Sequence, residues 1–519
     1  MHELPKFDLL IILIYLLAMV FVGVWFSRKN KSSEQFTKAS GTIPGWAVGI
    51  SLYATFLSSN TFLGVPGKAF GSNWNSFVFS LSMPLAAWIA VKYFVPFYRA
   101  IGGVSAYSHL EKRFGSWART YTMICFLLTQ LARMGSIFFG IALSLQALTG
   151  IDMTTIMLVM GVCIIVYTVL GGMEAVIWTE VAQGILLTLG GLLILYLLIV
   201  KVEGGTSTII DIGLKDHKFS LGGFGFDFVG PSFWVILLYG FFINLSNFGM
   251  DQNYVQRYHT ASSSKEASKS VWLCVKLYIP ISLLFFIIGT GLYAYYDQNP
   301  ELTQVLKMQA ASEVLPADAS GREVKEVAAT LQSEDYGDKV MPHFMVNMLP
   351  VGLLGLVVSA ILAAAMSTIS SGMNASATVF TEDIYKRYIN PNCSNQKTLK
   401  VLFVSTAIFG VLGIFTGISM IGVKSILDVW WELSGIFAGG MLGLFLLGIM
   451  SKTTTGKEAS KAVLLGVLVI LWMTFSYLLP EDYAFLKYPL HANMIIVVGT
   501  LVISIFGLLF SRSKGKSLG

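Results

Sequence analysis

Charge is what this 519-residue chain has least of: Asp, Glu, Lys and Arg make up 12% of it, against 55% for the hydrophobic types. A soluble globular domain carries roughly 25% charged residues. The deficit, with a mean hydropathy of +0.70, excludes a cytosolic enzyme, a disordered scaffold and a nucleic-acid-binding protein. Cysteine is sparse too. Cys125, Cys163, Cys274 and Cys393 form no CxxC pair and no metal-ligand spacing, and three of them sit in apolar runs, so neither a disulfide framework nor a zinc site is expected. The six His are scattered and mostly in loops. Without paired acids, a His/Asp set or a metal cluster in the apolar stretches, a membrane-embedded enzyme is not expected and no enzymatic cofactor is implied. Nor is there a continuous pore or a signalling domain, which a channel or membrane sensor needs.

What is present is long apolar runs. A membrane helix needs about 20 mostly apolar residues, and that ruler gives about thirteen spans. They are Phe7–Phe26, Pro44–Val65, Asn75–Tyr98, Trp117–Leu148, Met153–Leu170, Val176–Val200, Pro231–Tyr254, Ser270–Tyr296, His343–Tyr385, Val401–Ile421, Ile426–Met450, Ala462–Leu479 and Ala492–Phe510. The chain is thus expected to be an all-α polytopic protein with the lipid bilayer as its solvent. The first span does not read as a cleavable signal peptide, because an acid precedes it, its apolar run is long and Arg28, Lys29 and Lys31 follow it.

The net charge of +6 acquires meaning from its distribution across the bilayer. Basic residues concentrate in every second connection: Arg28, Lys29 and Lys31; Arg99, Lys112 and Arg113; Lys265 and Lys269; Lys386, Arg387, Lys397 and Lys400; Lys452, Lys457 and Lys461. The positive-inside rule places these in the cytoplasm, the N-terminus outside and the C-terminus inside. The connections Lys201–Gly230 and Asp297–Met341 are then long outer loops of mixed charge, without a recognisable catalytic motif.

Backbone that leaves the helix inside a bilayer must line a cavity or be buried in protein. Two spans are interrupted in this way, at Ala54-Thr55-Phe56-Leu57-Ser58-Ser59-Asn60-Thr61 in the second and at Asn244 through Gln252 in the seventh. The two lie five spans apart. Five is odd, so repeats of that length face opposite ways in the membrane, the inverted architecture of many secondary transporters. The alternative is two ordinary polar helices packed through Ser and Asn.

A third polar patch runs from Ala363 to Asn374. At 100° per residue Ala364, Ser367, Thr368 and Ser371 share one face, with Ser370 further round. Hydroxyls beside an unwound helix suit a hard cation such as sodium, although with Ala and Gly they also make close helix contacts. Arg133 sits in mid-span, where an unpaired Arg costs roughly 2.5–3.5 kcal/mol, so it must face a wet cavity, a partner or a ligand. Its planar fork fits a carboxylate; an internal ion pair with Glu180 or Asp251 is the alternative. Glu180 and Lys276 fit helix ends from which their side chains snorkel.

These segments, with Gly171-Gly172-Met173-Glu174-Ala175-Val176-Ile177-Trp178-Thr179-Glu180-Val181-Ala182-Gln183-Gly184 and Gln252–Arg257, resemble the sodium:solute symporters, over nearly the whole chain. The resemblance implies a LeuT-like 5+5 inverted repeat within one transporter domain. Residues 1–40 would hold a leading helix and inner loop, 41–200 the first repeat, 231–451 the second and 452–519 two closing helices. It further implies sodium as coupling ion, a small solute as cargo and a protein that works as a monomer. The main sodium site falls on the carbonyls of Ala54, Leu57 and Ala364 and the hydroxyls of Ser367 and Thr368. A second would use Glu180 with Ser367, Ser370 and Ser371; here Glu stands where the family usually has Asp.

For the solute, Arg133 together with Ser58 and Thr61 looks like the bacterial sialic acid symporters, in which that Arg holds the sugar acid's carboxylate. Phe56 departs from that pattern, in which a polar side chain is usual, and Ser80 stands where those transporters carry a longer amide. Asn244 matches a sugar-contacting Asn of the galactose symporters, whereas Asn247 and Trp431 replace a gating Tyr and a sugar-binding Gln. Phe248 and Trp431 are candidates to stack on a sugar ring. The implied activity is sodium-driven import by alternating access of a sugar acid, with a neutral sugar or a monocarboxylate as the other cargoes.

Overall fold

The computed structural model describes residues 4–315, 320–421 and 426–515, with no side chains described at 59–60, 147–148, 313, 426–436 and 512–515. Among the described residues the regular secondary structure is helical, apart from one bridge pairing Ile43 with Ala261. The principal helices are α1 (Lys6–Ser27), α2 (Gly45–Phe56), α3 (Ser59–Gly71), α4 (Trp74–Ile101), α5 (Ser116–Thr149), α6 (Met153–Lys201) and α7 (Phe233–Met250). They continue with α8 (Gln252–Thr260), α9 (Ser264–Gln298), α10 (Leu353–Ile389), α11 (Asn395–Ser419), α12 (Ile426–Met450), α13 (Gly456–Phe475) and α14 (Met494–Gly515).

Ten described helices are long and apolar enough to cross a membrane, eleven when the bent pair α2 and α3 is one span. Two differences separate this from thirteen. The 49 residues of α6 would reach about 73 Å at 1.5 Å per residue, more than twice the hydrocarbon thickness of about 30 Å. They turn at Gly172 (φ 57°, ψ −155°), which splits the helix into two arms where two spans were expected. The other difference is α12, whose described apolar stretch is only Phe437–Met450. Gly172 occupies backbone space essentially closed to other residues. The turn strands the Leu170 carbonyl, and Asn30 Nδ2 donates to it at 3.1 Å.

Both interrupted spans are broken. α2 and α3 meet at 53°, with Leu57 extended (φ −88°, ψ 114°) and Ser58 capping α3 in a capping box with Thr61. α7 stops at Met250 and Asp251 (φ −72°, ψ 120°) caps α8. The second break therefore falls at the far end of the Asn244–Gln252 segment, and Tyr254 belongs to the following helix. Away from the breaks, the start of α2 and the end of α8 are tied together, since Ile43 N donates to Thr260 O at 3.0 Å.

The helix at the centre is α10. Every residue from Val357 to Val379 is buried, which its Ala, Ser and Gly content permits, because small side chains let α1, α6, α5 and α11 close around it. Its start corrects the expected ninth span. Pro350-Val351-Gly352 turns the chain, with Gly352 at φ 92°, so that the span begins at Leu353 and His343 lies in a separate helix, Ser333–Met348. The expected outer loops likewise hold helices, Gly205–Lys215, Pro300–Val314 and Gly321–Thr330. On that side Lys218 Nζ donates to Phe70 O at 2.7 Å and lies 3.7 Å from the Tyr293 ring centre; burial pushes its ammonium down to about 8. Phe7, Leu13, Leu17, Phe21 and Trp25 of α1 are exposed, a face suited to lipid tails and not to water.

Candidate binding site

The breaks expose backbone that a continuous helix would consume. Ser58 N turns to Thr61 Oγ1 at 3.4 Å, and the Ala54 carbonyl accepts instead from Ser367 Oγ of α10 at 3.2 Å. Ser367 Oγ is also 2.9 Å from the Ala364 carbonyl, and Thr368 Oγ1 is 3.3 Å from the same oxygen. Two hydroxyls and two carbonyls of two helices thus converge beside Leu57, where α2 ends. All are neutral oxygens in a buried place, a donor set suited to a hard monovalent cation.

Next to them lies a cavity of about 350 Å³ among α2, α3, α4, α5, α7, α8 and α9. It extends to Ser76 and Asn493, which precede the body of α4 and the start of α14, so it leads toward the side assigned as outer. One wall is aromatic: the Phe56 ring centre is 4.6 Å from that of Tyr254 and 5.6 Å from that of Tyr278. The rest of the lining includes the polar residues Arg133, Gln130, Asn247 and Asp251. Arg133 Nη2 donates to the Thr55 carbonyl at 3.3 Å, another group freed by the end of α2. Arg133 Nη1 lies 3.9 Å from Asp251 Oδ2, and Asp251 Oδ1 is held by the Asn253 amide at 2.8 Å and Asn253 Nδ2 at 2.7 Å. Gln130 Nε2 and Tyr254 Oη, both of cavity-lining residues, are buried without a protein partner.

Behind the hydroxyl face sits a second, closed network. Arg257 Nη2 donates to both Glu180 oxygens, at 2.6 and 2.8 Å, and to Ser371 Oγ at 2.6 Å. Arg257 Nε donates to Ser51 Oγ at 2.8 Å. Ser51 and Ser371 hydroxyls in turn donate to Glu180. The acid is saturated, and its charge is cancelled in place.

A family model described as "Sodium:solute symporter family" matches residues 36–466. The chain belongs to that family. It is 32% identical to the sodium/sialic acid symporter NanT of Aliivibrio fischeri over 95% of this chain and 91% of that one. Identity to the sodium/sialic acid symporter SiaT of Proteus mirabilis is again 32%, covering 98% and 96%. A solved Na+-coupled sialic acid symporter in a substrate-bound outward-open state superposes with a TM-score of 0.84 at 30% identity, covering 98% of both chains. The fold is accordingly the LeuT-like inverted repeat, in a multi-pass membrane protein.

Of the residues singled out from the sequence, Phe56, Ser58, Thr61, Ser80, Arg133 and Asn247 line this symporter's cavity. Ser80 Oγ spends itself on Ser282 Oγ at 2.7 Å. Asn244 and Phe248 do not reach the cavity. Asn244 is buried, with Nδ2 3.1 Å from Ser82 Oγ, and Phe248 packs behind Phe56 with ring centres 5.3 Å apart. Trp431 lies outside the described side chains. Ser370 donates to the Ser367 carbonyl at 3.2 Å, and Glu180, expected near a helix end or at a second sodium, is fully buried against Arg257. Lys276 is exposed. Gln130, Tyr254 and Tyr278 were missed. Gln130 was within reach of helical periodicity, since it precedes Arg133 by three and shares its face; the two tyrosines had no such signal.

Proposed function

We propose that this symporter imports an anionic sugar acid of the sialic acid class, driven by sodium. The observation that carries the reading is Arg133, a guanidinium lining the cavity together with hydroxyls and aromatic rings. A carboxylate would dock on its free donors, with Ser58, Thr61, Gln130 and Asn247 available to hydroxyls and Phe56 or Tyr254 to the apolar face of a ring. The names of the two curated relatives and of the solved neighbour favour the same cargo. Sodium would sit among Ala54, Leu57, Ala364, Ser367 and Thr368, joining α2 to α10 and holding the cavity open toward the outside. Rocking of the repeats, 41–200 and 231–451, would then expose both cargoes to the cytoplasm. In this reading Glu180 serves as counter-ion to Arg257, and Ser370 and Ser371 brace α10. The basic connections put the C-terminus in the cytoplasm and the N-terminus outside, and the complete site within one chain suits a monomer.

Uptake of labelled N-acetylneuraminate into proteoliposomes under an inward sodium gradient tests this. Arg133→Ala is expected to lower that uptake at least about 100-fold, since a charge-assisted pair to the carboxylate is lost. Undiminished uptake by Arg133→Ala, or uptake of a neutral sugar or a monocarboxylate in place of the sugar acid, would reject the assigned cargo.

A further inference from the structure

Arg133 does not stand alone in the cavity wall. Asp251 Oδ2 faces it at 3.9 Å, too far for a good hydrogen bond. The Asp251 carboxylate cannot turn away, because Oδ1 is fixed by two donors of Asn253 and the residue caps α8. Among the described residues none donates to Oδ2, and both residues line the cavity. A ligand carboxylate on Arg133 would therefore arrive beside a second, fixed carboxylate, and one guanidinium would serve two anions. Repulsion between them is removed if the ligand itself places a hydrogen-bond donor between its carboxylate and Oδ2. A substituent on the carbon that carries the carboxylate is the donor nearest to that carboxylate and therefore the one suited to this place.

We infer that Asp251 is a specificity-determining residue that accepts a hydrogen bond from a hydroxyl on the carboxylate-bearing carbon, so that the cargo is a 2-hydroxy sugar acid in its free, unglycosylated form. The inference rests on the sugar-acid reading of the site and narrows it. Arg133 reads the carboxylate and Asp251 reads its neighbour. Acids that lack the donor meet an unrelieved carboxylate. A glycoside, whose 2-oxygen carries no hydrogen, is excluded for the same reason.

Competition against uptake of labelled N-acetylneuraminate separates the possibilities, with the unlabelled sugar and its 2-deoxy analogue as probes. The analogue removes the hydroxyl without adding bulk. In the wild type it is expected to compete about 10- to 100-fold less well, the worth of a hydrogen bond to a charged group. Asp251→Ser keeps a helix-capping side chain but withdraws the carboxylate, and the two probes should then compete within about threefold of each other. Equal competition in the wild type would overturn the role of Asp251 while leaving the sugar-acid reading intact. So would a variant that weakens both probes in the same proportion, which marks Asp251 as a cap alone. If the wild type takes up no sugar acid but does take up an α-ammonium acid, both the proposal and the sugar-acid reading fall.

Discussion

Glu180 and Arg257 are 0% and 1% exposed, an ion pair wholly withdrawn from solvent. Breaking a buried pair from one side leaves a naked charge and costs about 3–5 kcal/mol. Glu180→Gln is expected to lower the melting temperature of the purified protein markedly, whereas replacing both residues with Met should recover most of the loss. Equal melting of wild type and Glu180→Gln would remove the counter-ion role. Ser367 makes a different wager. Its hydroxyl touches both carbonyls of the oxygen cluster, so Ser367→Ala should raise the sodium concentration for half-maximal uptake about tenfold, with solute affinity at saturating sodium nearly unchanged. An unaltered sodium dependence would exclude Ser367 from the cation site. Residue identities such as Arg133 and the hydroxyl face were legible in the sequence because their cost in a bilayer demands an explanation. The partnership of Arg257 with Glu180 was not, since 77 positions separate them.

At the scale of elements, function depends on where helices stop. Polar residues inside apolar spans announced both breaks, and the stops at Leu57 and Asp251 lie within the two segments so marked. The reason is local: Ser58 and Asp251 offer side-chain caps that compete with the helix for backbone amides. The turn in α6 is made at Gly172. A Cβ there would lie 2.9 Å from Phe36 Cδ2 and Asn30 Nδ2, at a φ of 57°. Gly172→Ala is expected to destabilise the protein by about 1–3 kcal/mol, visible as a lower melting temperature and reduced recovery of folded protein; unchanged melting would mean the arms re-pack without strain. The helices in the long connections, Gly205–Lys215, Pro300–Val314 and Gly321–Thr330, escaped the sequence reading because their charge content hides them from a ruler built for membrane spans.

The whole molecule has to account for charge. Each sodium entering at 100 mV releases roughly 2.3 kcal/mol, and a monovalent anion entering with it cancels that electrical gain. If sodium sits only at the proposed cluster on Ser367 and Thr368, with Glu180 paired to Arg257, one cation accompanies each solute. Substrate-induced current in planar-membrane recordings should therefore be nearly absent with an anionic sugar acid. A large inward current would demand at least two sodium ions per cycle, and Glu180 would then have to release Arg257 to bind one. The stoichiometry thus turns on whether Glu180 keeps Arg257 as its partner through the transport cycle.

Membership of a helical membrane class was determined by the sequence alone, because a bilayer tolerates so few charges that their scarcity and one-sided placement are hard to mistake. The same constraint made Arg133 conspicuous before any fold was known. Which polar groups find each other was decided only by the tertiary structure. Ser367 on Ala54, Arg257 on Glu180 and Asp251 facing Arg133 are meetings between distant segments. Hydrogen bonds and ion pairs act over a few ångströms, and no local pattern encodes a neighbour that another helix brings.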